Sequence, residues 1–421
     1  MRTYSVLAAL AFFSNIVSAG PWPAWRGPTG DGITSETNLP LRWSATENVV
    51  WKTPLPAPGN STPIVWGEKI FLTQASKDGK QRSLLCLDRK DGRELWRHTI
   101  SYDKPELTHD TNPQCSSSPA TDGERVVVNF ASAGVVCVDF AGKELWRRDL
   151  GEQRHIWGSG TSPVIYGGRV FLNFGPGPDQ ALYSLDLKSG AVLWKHAEPG
   201  GDSGEPPPGG GKPEWKGSWS DPLPRKFAGR EVLFMTWPGR VCAHEYATGK
   251  VLWTCAGLNP LIYTSPVFSD GIVVGMGGYG GNALAVDADG DGDLTGRRLW
   301  LVEKTRQRIG SPVVHDGYIY ILTDPGIAEC RSLKDGKIIW EERLKGPGPT
   351  GQNWSSLVRS GDRLYAVNQG GDAFIFRAAP KFEVLATNSL GEKIIASLAV
   401  SDGRLYIRSH AHLWCIGDGK P

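Results

Sequence analysis

The sequence predicts an all-β protein: an eight-bladed β-propeller of four-stranded antiparallel blades, its ring closed by an N-terminal strand. Three observations carry this. First, a tryptophan returns at Trp51, Trp96, Trp146, Trp194, Trp253, Trp300 and Trp340, with strides of 40 to 59 residues. Self-similarity at roughly 40–50 residues marks a solenoid or a propeller. Second, a Ser-Pro dipeptide opens units at Ser118, Ser162, Ser265 and Ser311. Looser versions stand at Ser61-Thr62-Pro63 and Ser220-Asp221-Pro222, and Ser355-Ser356 and Ser397-Leu398 fill the same slot without proline, which makes eight openings. Third, the unit at 310–344 alternates short apolar runs with turns at Asp316-Gly317, Asp324-Pro325-Gly326 and Asp335-Gly336. That punctuation describes four short antiparallel strands.

The elements follow in chain order. Met1-Arg2, the apolar run 6–13 and the small residues Val17 and Ala19 have the pattern of a secretory signal cleaved after Ala19. Residues 20–44 form a lead-in, 45–417 the ring, and 418–421 a tail. The last unit, from Ile395, stops at Cys415-Ile416 without a closing strand, while Asn48-Val49-Val50-Trp51 precedes the first opening. Residues 49–51 are therefore expected to supply the outer strand of the last blade, which removes an exposed sheet edge. The slot of an eighth tryptophan is degenerate, with Leu385 in its place. All seven tryptophans are read as large apolar bodies packed between neighbouring blades.

Composition limits function. A net charge of +2 argues for neither nucleic acid nor an anionic membrane surface. No apolar stretch of about 18 residues lies beyond the signal, so no spanning helix is expected. The first cysteine is Cys86, far from the cleavage point, so no lipid anchor is expected there. The reading is a periplasmic or secreted monomer. Five of the seven cysteines (Cys86, Cys137, Cys242, Cys330 and Cys415) align at one third-strand slot that Ser184 and Ala285 fill elsewhere, which suits a small packing position. Cys115 and Cys255 fall outside that slot and are the one candidate pair for a bridge.

The loops between blades are long (99–117, 148–160, 195–218, 254–263, 302–309 and 341–353), whereas turns on the other face are short. Function on a rigid scaffold usually sits in such loops. Residues before the openings are expected to ring the channel mouth: Cys115, His155, Trp157, Trp219, Tyr263, Arg308, Asn353 and Trp354. Tyr279, Asp324, His410 and His412 join them from the strand 2–3 loops. Aromatics, cations and an amide at a concavity suit a planar anionic ligand, and the alternative is plain hydration of the channel. The 195–218 loop, with Pro206-Pro-Pro-Gly-Gly-Gly211, reads as a mobile insertion, with a lid or partner contact as the alternative. Asp287, Asp289, Asp291, Asp293 and Thr295, with Gly292 between them, match an EF-hand-type calcium loop on the opposite face. Arg298 stands where the bidentate Glu belongs, so weak, structural calcium binding is expected.

The units Leu87-Asp88-Arg-Lys-Asp-Gly92-Arg-Glu-Leu-Trp96 and Leu185-Asp186-Leu-Lys-Ser-Gly190-Ala-Val-Leu-Trp194 resemble pyrroloquinoline-quinone-like (PQQ-like) propeller repeats. The stretch from Trp22 to Gly32 is similar to the lead-in of exported propellers of planctomycete-type bacteria. The resemblance covers nearly all of 22–417 and implies two possible functions. Some members are quinone-dependent alcohol or sugar dehydrogenases. Others resemble the scaffold propeller of outer-membrane barrel assembly and bind no quinone. The alcohol dehydrogenases stack PQQ against a disulfide of adjacent cysteines, beside calcium and a catalytic Asp, and this chain has no Cys-Cys pair. Asp324 as base, Arg308 on a quinone carboxylate, and Trp219 or Trp354 stacking are what the enzyme branch would imply. The scaffold branch implies a protein or carbohydrate partner on the long-loop face, held by an exposed aromatic patch of Trp157, Trp215 and Trp219.

Overall fold

The computed structural model describes residues 20–198, 201–207, 209–349 and 351–418. The expected signal segment, 1–19, lies outside them, as does most of the tail. Eight small antiparallel sheets form a ring. Blade 1 shows the pattern, with strands Ile64–Trp66, Lys69–Ala75, Gln81–Asp88 and Glu94–Ser101 running from channel to rim. Blades 2 to 7 occupy 120–148, 164–197, 223–256, 267–302, 313–343 and 358–389. Blade 8 takes three strands from 399–416 and its outer strand from Val49–Pro54, with Trp51 opposite Cys415. Gly417 donates its backbone N–H to the Asn48 carbonyl, so the two distant ends meet where a turn would otherwise stand.

Each repeating tryptophan is a latch. The Trp51 indole N–H donates to the Arg89 carbonyl, at the outer turn of the next blade. Trp96, Trp146, Trp194, Trp253, Trp300 and Trp340 do the same to Phe140, Leu187, Tyr246, Ala288, Leu333 and Ala379, at 2.8–3.1 Å. The turn must leave room for the ring. A Cβ on Gly249 would stand 2.5 Å from the Trp194 indole, and one on Gly190 2.6 Å from Trp146. Both glycines also have positive φ. Across the strand pair, a small residue faces each indole: Cys86, Cys137, Ser184, Ala285, Cys330 and Cys415. In blade 4 that residue is Ala243 rather than Cys242, which corrects the alignment by one position. Successive strand residues face opposite sides, so Cys242 packs toward blade 3. All seven cysteines are free, Cys115 and Cys255 among them. Burial pushes the Cys86, Cys137, Cys242 and Cys330 thiols up to about 12, which makes them unreactive packing groups.

A second belt runs around the channel. The backbone N–H of Thr62 donates to the Ser118 hydroxyl, Ser118 to Ser162, Ser162 to the Asp221 carboxyl, and Asp221 to Ser265. Ser265, Ser311 and Ser356 carry it on to Ser397. These are the eight openings seen in the sequence. The Thr62 hydroxyl, at the joint of blades 8 and 1, has no partner among the described residues. Arg408 secures that joint instead: its buried guanidinium reaches the Ser61 hydroxyl, the Thr73 carbonyl at 2.7 Å and Gln74 at 3.1 Å.

The lead-in is a plug. Trp22 bridges to Val65 of blade 1, and the Pro23 carbonyl accepts from Thr121 of blade 2. Arg225 of blade 4 holds the Thr29 carbonyl and Asp31. The buried Arg26 reaches the Pro312 carbonyl of blade 6. Ile33–Thr34 then pairs in parallel with the inner strand of blade 7, and the Glu36 carboxylate accepts from the Asp402 and Gly403 amides of blade 8. The segment therefore crosses the whole diameter of the channel on the short-turn side.

His244 of blade 4 is fully buried. Its Nε2 accepts from the Trp237 indole, which leaves Nδ1 to donate to the Gly249 carbonyl. Burial, with His196 and Arg240 nearby, lowers its pKa from 6.5 to about 3. Below pH 6.5 the unfolded chain binds this proton and the folded chain does not, so stability falls as pH drops toward 3, by about 1.4 kcal/mol per unit from this group. Chemical denaturation between pH 6.5 and 4 should show that slope made shallower by His244→Gln. In the same assay at pH 7, Trp253→Ala is expected to cost about 3–5 kcal/mol. Gly249→Ala should cost at least about 1 kcal/mol, through strain and its clash with Trp194.

Candidate functional site at the channel mouth

On the long-loop side the channel opens into a cavity of about 400 Å³, within the size range of small-molecule sites. Trp25 of the plug lines it from within the ring. One wall is aromatic. Trp157 packs on Trp215, Trp219 and Tyr279 with ring centres 5.3, 6.0 and 5.7 Å apart, and Tyr263 joins Trp219 at 5.0 Å and Tyr279 at 5.3 Å. Trp215 and Tyr279 are exposed, at 44% and 49%. The expected patch of Trp157, Trp215 and Trp219 is thus a contiguous surface. Trp354 stands in the lining from the blade 6–7 loop.

The platforms are fixed from behind. The Trp219 indole N–H donates to the Gly158 carbonyl and that of Trp354 to the Asp324 carboxylate. Asn112 donates to the Trp157 and Ser159 carbonyls. The described part of the 195–218 loop is anchored beside the mouth. Its described residues are tied by Ile156 N–H to Ser203, by Asp202 N–H to Lys216, and by Gly217–Ser218 pairing with Leu261–Ile262. That anchoring brings Trp215 onto Trp157.

Of the residues expected at the mouth, Trp157, Trp219, Tyr263, Tyr279 and Trp354 line the cavity. His155, Asn353, Arg308, Asp324 and Cys115 are buried and lie outside its lining, because their polar atoms serve the loops. Arg308 is fully buried, holding the Gly277 carbonyl and the Thr305 hydroxyl. Asp324 accepts from the Asn353 backbone as well as from Trp354, and Asn353 also reaches the Thr323 carbonyl. Burial raises the Asp324 carboxyl above its ordinary range. Burial lowers His155 to about 4, and its Nδ1 accepts from the Trp157 amide. His410 and His412 also lie outside the lining, and His412 pairs with Glu392 at 2.8 Å. Sequence reasoning missed Trp25, Asn60, Asn112 and Gln352 in the lining. Trp25 belongs to a segment whose path no repeat announces.

In the structure the acidic turn is held by groups of the protein itself. Among the described residues no three acidic, His or Cys side chains gather as a metal site. Arg230 pairs with Asp291 at 2.8 Å and Asp289 at 3.7 Å. Asp287 and Asp293 accept from the amides two residues on, and the Thr295 hydroxyl accepts from Ala256 N–H. Gly292–Asp293 pairs with the outer strand of blade 4, and Leu294 is buried in that core. The turn is a rim clamp between blades 4 and 5, held by strand pairing, an apolar side chain and a guanidinium. With Arg230 in place, EDTA is expected to leave the melting temperature unchanged. Arg230→Ala exposes the carboxylates to one another, and its melting temperature should rise on adding calcium.

The family model described as outer membrane protein assembly factor BamB matches residues 33–154, 80–209 and 206–419. BamB of Yersinia pestis is 24% identical over 275 residues, 60% of this chain and 61% of that protein. A polyvinylalcohol dehydrogenase of Pseudomonas sp is 25% identical over 196 residues, 41% of this chain and 28% of that protein. The chain therefore spans less than two thirds of the length of each. In three dimensions the chain is similar to BamB from Moraxella catarrhalis, with TM-score 0.60 and 16% identity over 89% of this chain and 98% of that one. A europium-containing methanol dehydrogenase gives TM-score 0.67 and 13% identity, over 94% and 90%. At such identities the likeness is one of fold. The overlapping matches run along nearly the whole of the closed ring, and the chain belongs to the PQQ-like propeller family described as outer membrane protein assembly factor BamB.

Proposed function

We propose that this is an exported, non-catalytic binding module that takes its partner on the long-loop face, at the aromatic mouth. The observation that carries the reading is the composition of the cavity. Its wall is a continuous set of indole and phenol rings, and no lysine or arginine is among the described residues that line it. Preorganised aromatic anchors are what binding surfaces use. Likeness to BamB, named an outer membrane protein assembly factor, supports a protein partner of the cell envelope as one class, with carbohydrate as the other.

The second reading is a quinone-dependent oxidoreductase, favoured by the local likeness to polyvinylalcohol dehydrogenase. Pyrroloquinoline quinone is a planar polyanion and needs cations around it. Arg308 and Arg408, at the mouth end of the ring, are fully buried with their guanidiniums engaged by carbonyls and hydroxyls. The mouth residues do not fit that group. Calcium enters only as a weak competitor of Arg230 for Asp289 and Asp291. Titration with pyrroloquinoline quinone, with and without calcium, is expected to give no saturable quenching of tryptophan fluorescence at micromolar concentrations. Saturable quenching would favour the dehydrogenase.

A further inference from the structure

Most polar groups in the lining are hydroxyls and amides, and they point to a particular ligand chemistry. Near the aromatic wall the Tyr263 hydroxyl is buried without a hydrogen-bond partner among the described residues, and so is the Asn60 side-chain carbonyl. At depth, Ser118, Ser162 and Ser397 of the channel belt also line the cavity. Each of these hydroxyls accepts a backbone N–H from the neighbouring blade, so its own proton is free to donate inward. The one carboxyl in the lining, Asp221, is fixed by the Ser162 amide and faces the charge of Arg26 in the plug. The site therefore offers flat apolar faces, several hydroxyls, the side-chain amides of Asn60, Asn112 and Gln352, the His109 imidazole, and no lysine or arginine among its described lining residues.

A pyranose ring complements that inventory. Its axial C–H groups form an apolar, slightly positive face that packs on the negative face of an indole. Its hydroxyls can satisfy donors and acceptors in turn, and an unmet buried polar group is costly. An anionic ligand would find no lysine or arginine among the described lining residues, and a purely apolar one would strand the Tyr263 and Asn60 groups. The plug crosses the channel beside this cavity, which favours entry by the end of a chain.

We infer that the mouth cavity binds the terminal residues of a neutral oligosaccharide, stacked on Trp219 and Trp157 and hydrogen-bonded by Tyr263, Asn60 and the belt serines. This rests on the mouth being a binding site, and it names the ligand. The test is titration of the chain lacking residues 1–19 with neutral trisaccharides of β-1,4-glucose, α-1,4-glucose, β-1,4-xylose and β-1,4-N-acetylglucosamine, following tryptophan fluorescence. A trigalacturonate, a blocked neutral tripeptide and pyrroloquinoline quinone are run beside them. At least one neutral trisaccharide should saturate at roughly millimolar concentration or below, and the trigalacturonate should not. Trp219→Ala should weaken that binding at least about tenfold. Tyr263→Phe, which removes only an unpartnered hydroxyl, should weaken it about three- to tenfold with the melting temperature unchanged. Four neutral sugars without saturation overturn the inference. If the tripeptide then saturates, the binding module stands with a polypeptide ligand. If only the quinone saturates, both readings fall. If nothing saturates, the mouth is lost as the binding site as well.

Discussion

One hydrogen bond repeats around this molecule, from an indole N–H of one blade to a carbonyl in the outer turn of the next. Much of the sequence pattern follows from accommodating it. In five of the seven latches the turn needs glycine because the indole lies where a Cβ would stand. The facing strand needs a small residue because the ring covers it, and Cys, Ser and Ala serve equally. The missing eighth tryptophan has the same cause. Blade 8 has no turn between its third and fourth strands, since the chain ends meet there. The register places that slot at Ala386 rather than Leu385; a latch there would have nothing to reach, and the joint is filled by Leu41 and Trp43 of the lead-in.

The inner belt does for the channel what the latches do for the rim, and it also shapes the site. Its serines hold neighbouring blades in register and leave their protons facing the cavity. Where a serine is replaced, Asp221 accepts from the Ser162 amide in its stead and lies in the field of Arg26, a charge that the plug brings into the ring. The mouth is thus made of residues whose other atoms are already committed to holding blades together. That is why its walls are rigid, and why its cations have been drawn out of it.

The ring was legible because period, turn chemistry and the unclosed last unit all state the same geometry, and the closing strand followed from counting. The site was legible only in part. Position before an opening identified Trp157, Trp219, Tyr263 and Trp354, since a large ring cannot fit inside the loop and must face outward. The same rule placed Arg308, Asn353 and Asp324 at the mouth, but they turn inward because the loops' own carbonyls and amides must be paired once buried. The acidic turn matched an ion-binding spacing, yet Arg230, 57 residues upstream of Asp287, takes two of its carboxylates, and no local pattern shows a partner on another blade. The path of the plug, with Trp25 and Arg26, carries no periodic signal at all.

The plug also has a kinetic consequence. Residues 20–54 are synthesised before the blades and bonded last, with partners up to 381 residues away. Seven blades and most of the eighth can assemble by neighbour contacts alone, but the final strand and the channel cover must wait for the other end of the chain. Closure over such separations is slow. Until it happens, blade 8 presents an unpaired edge, the feature most prone to join another chain. The species at greatest risk of misassembly is therefore the nearly complete ring, rather than the nascent or unfolded chain.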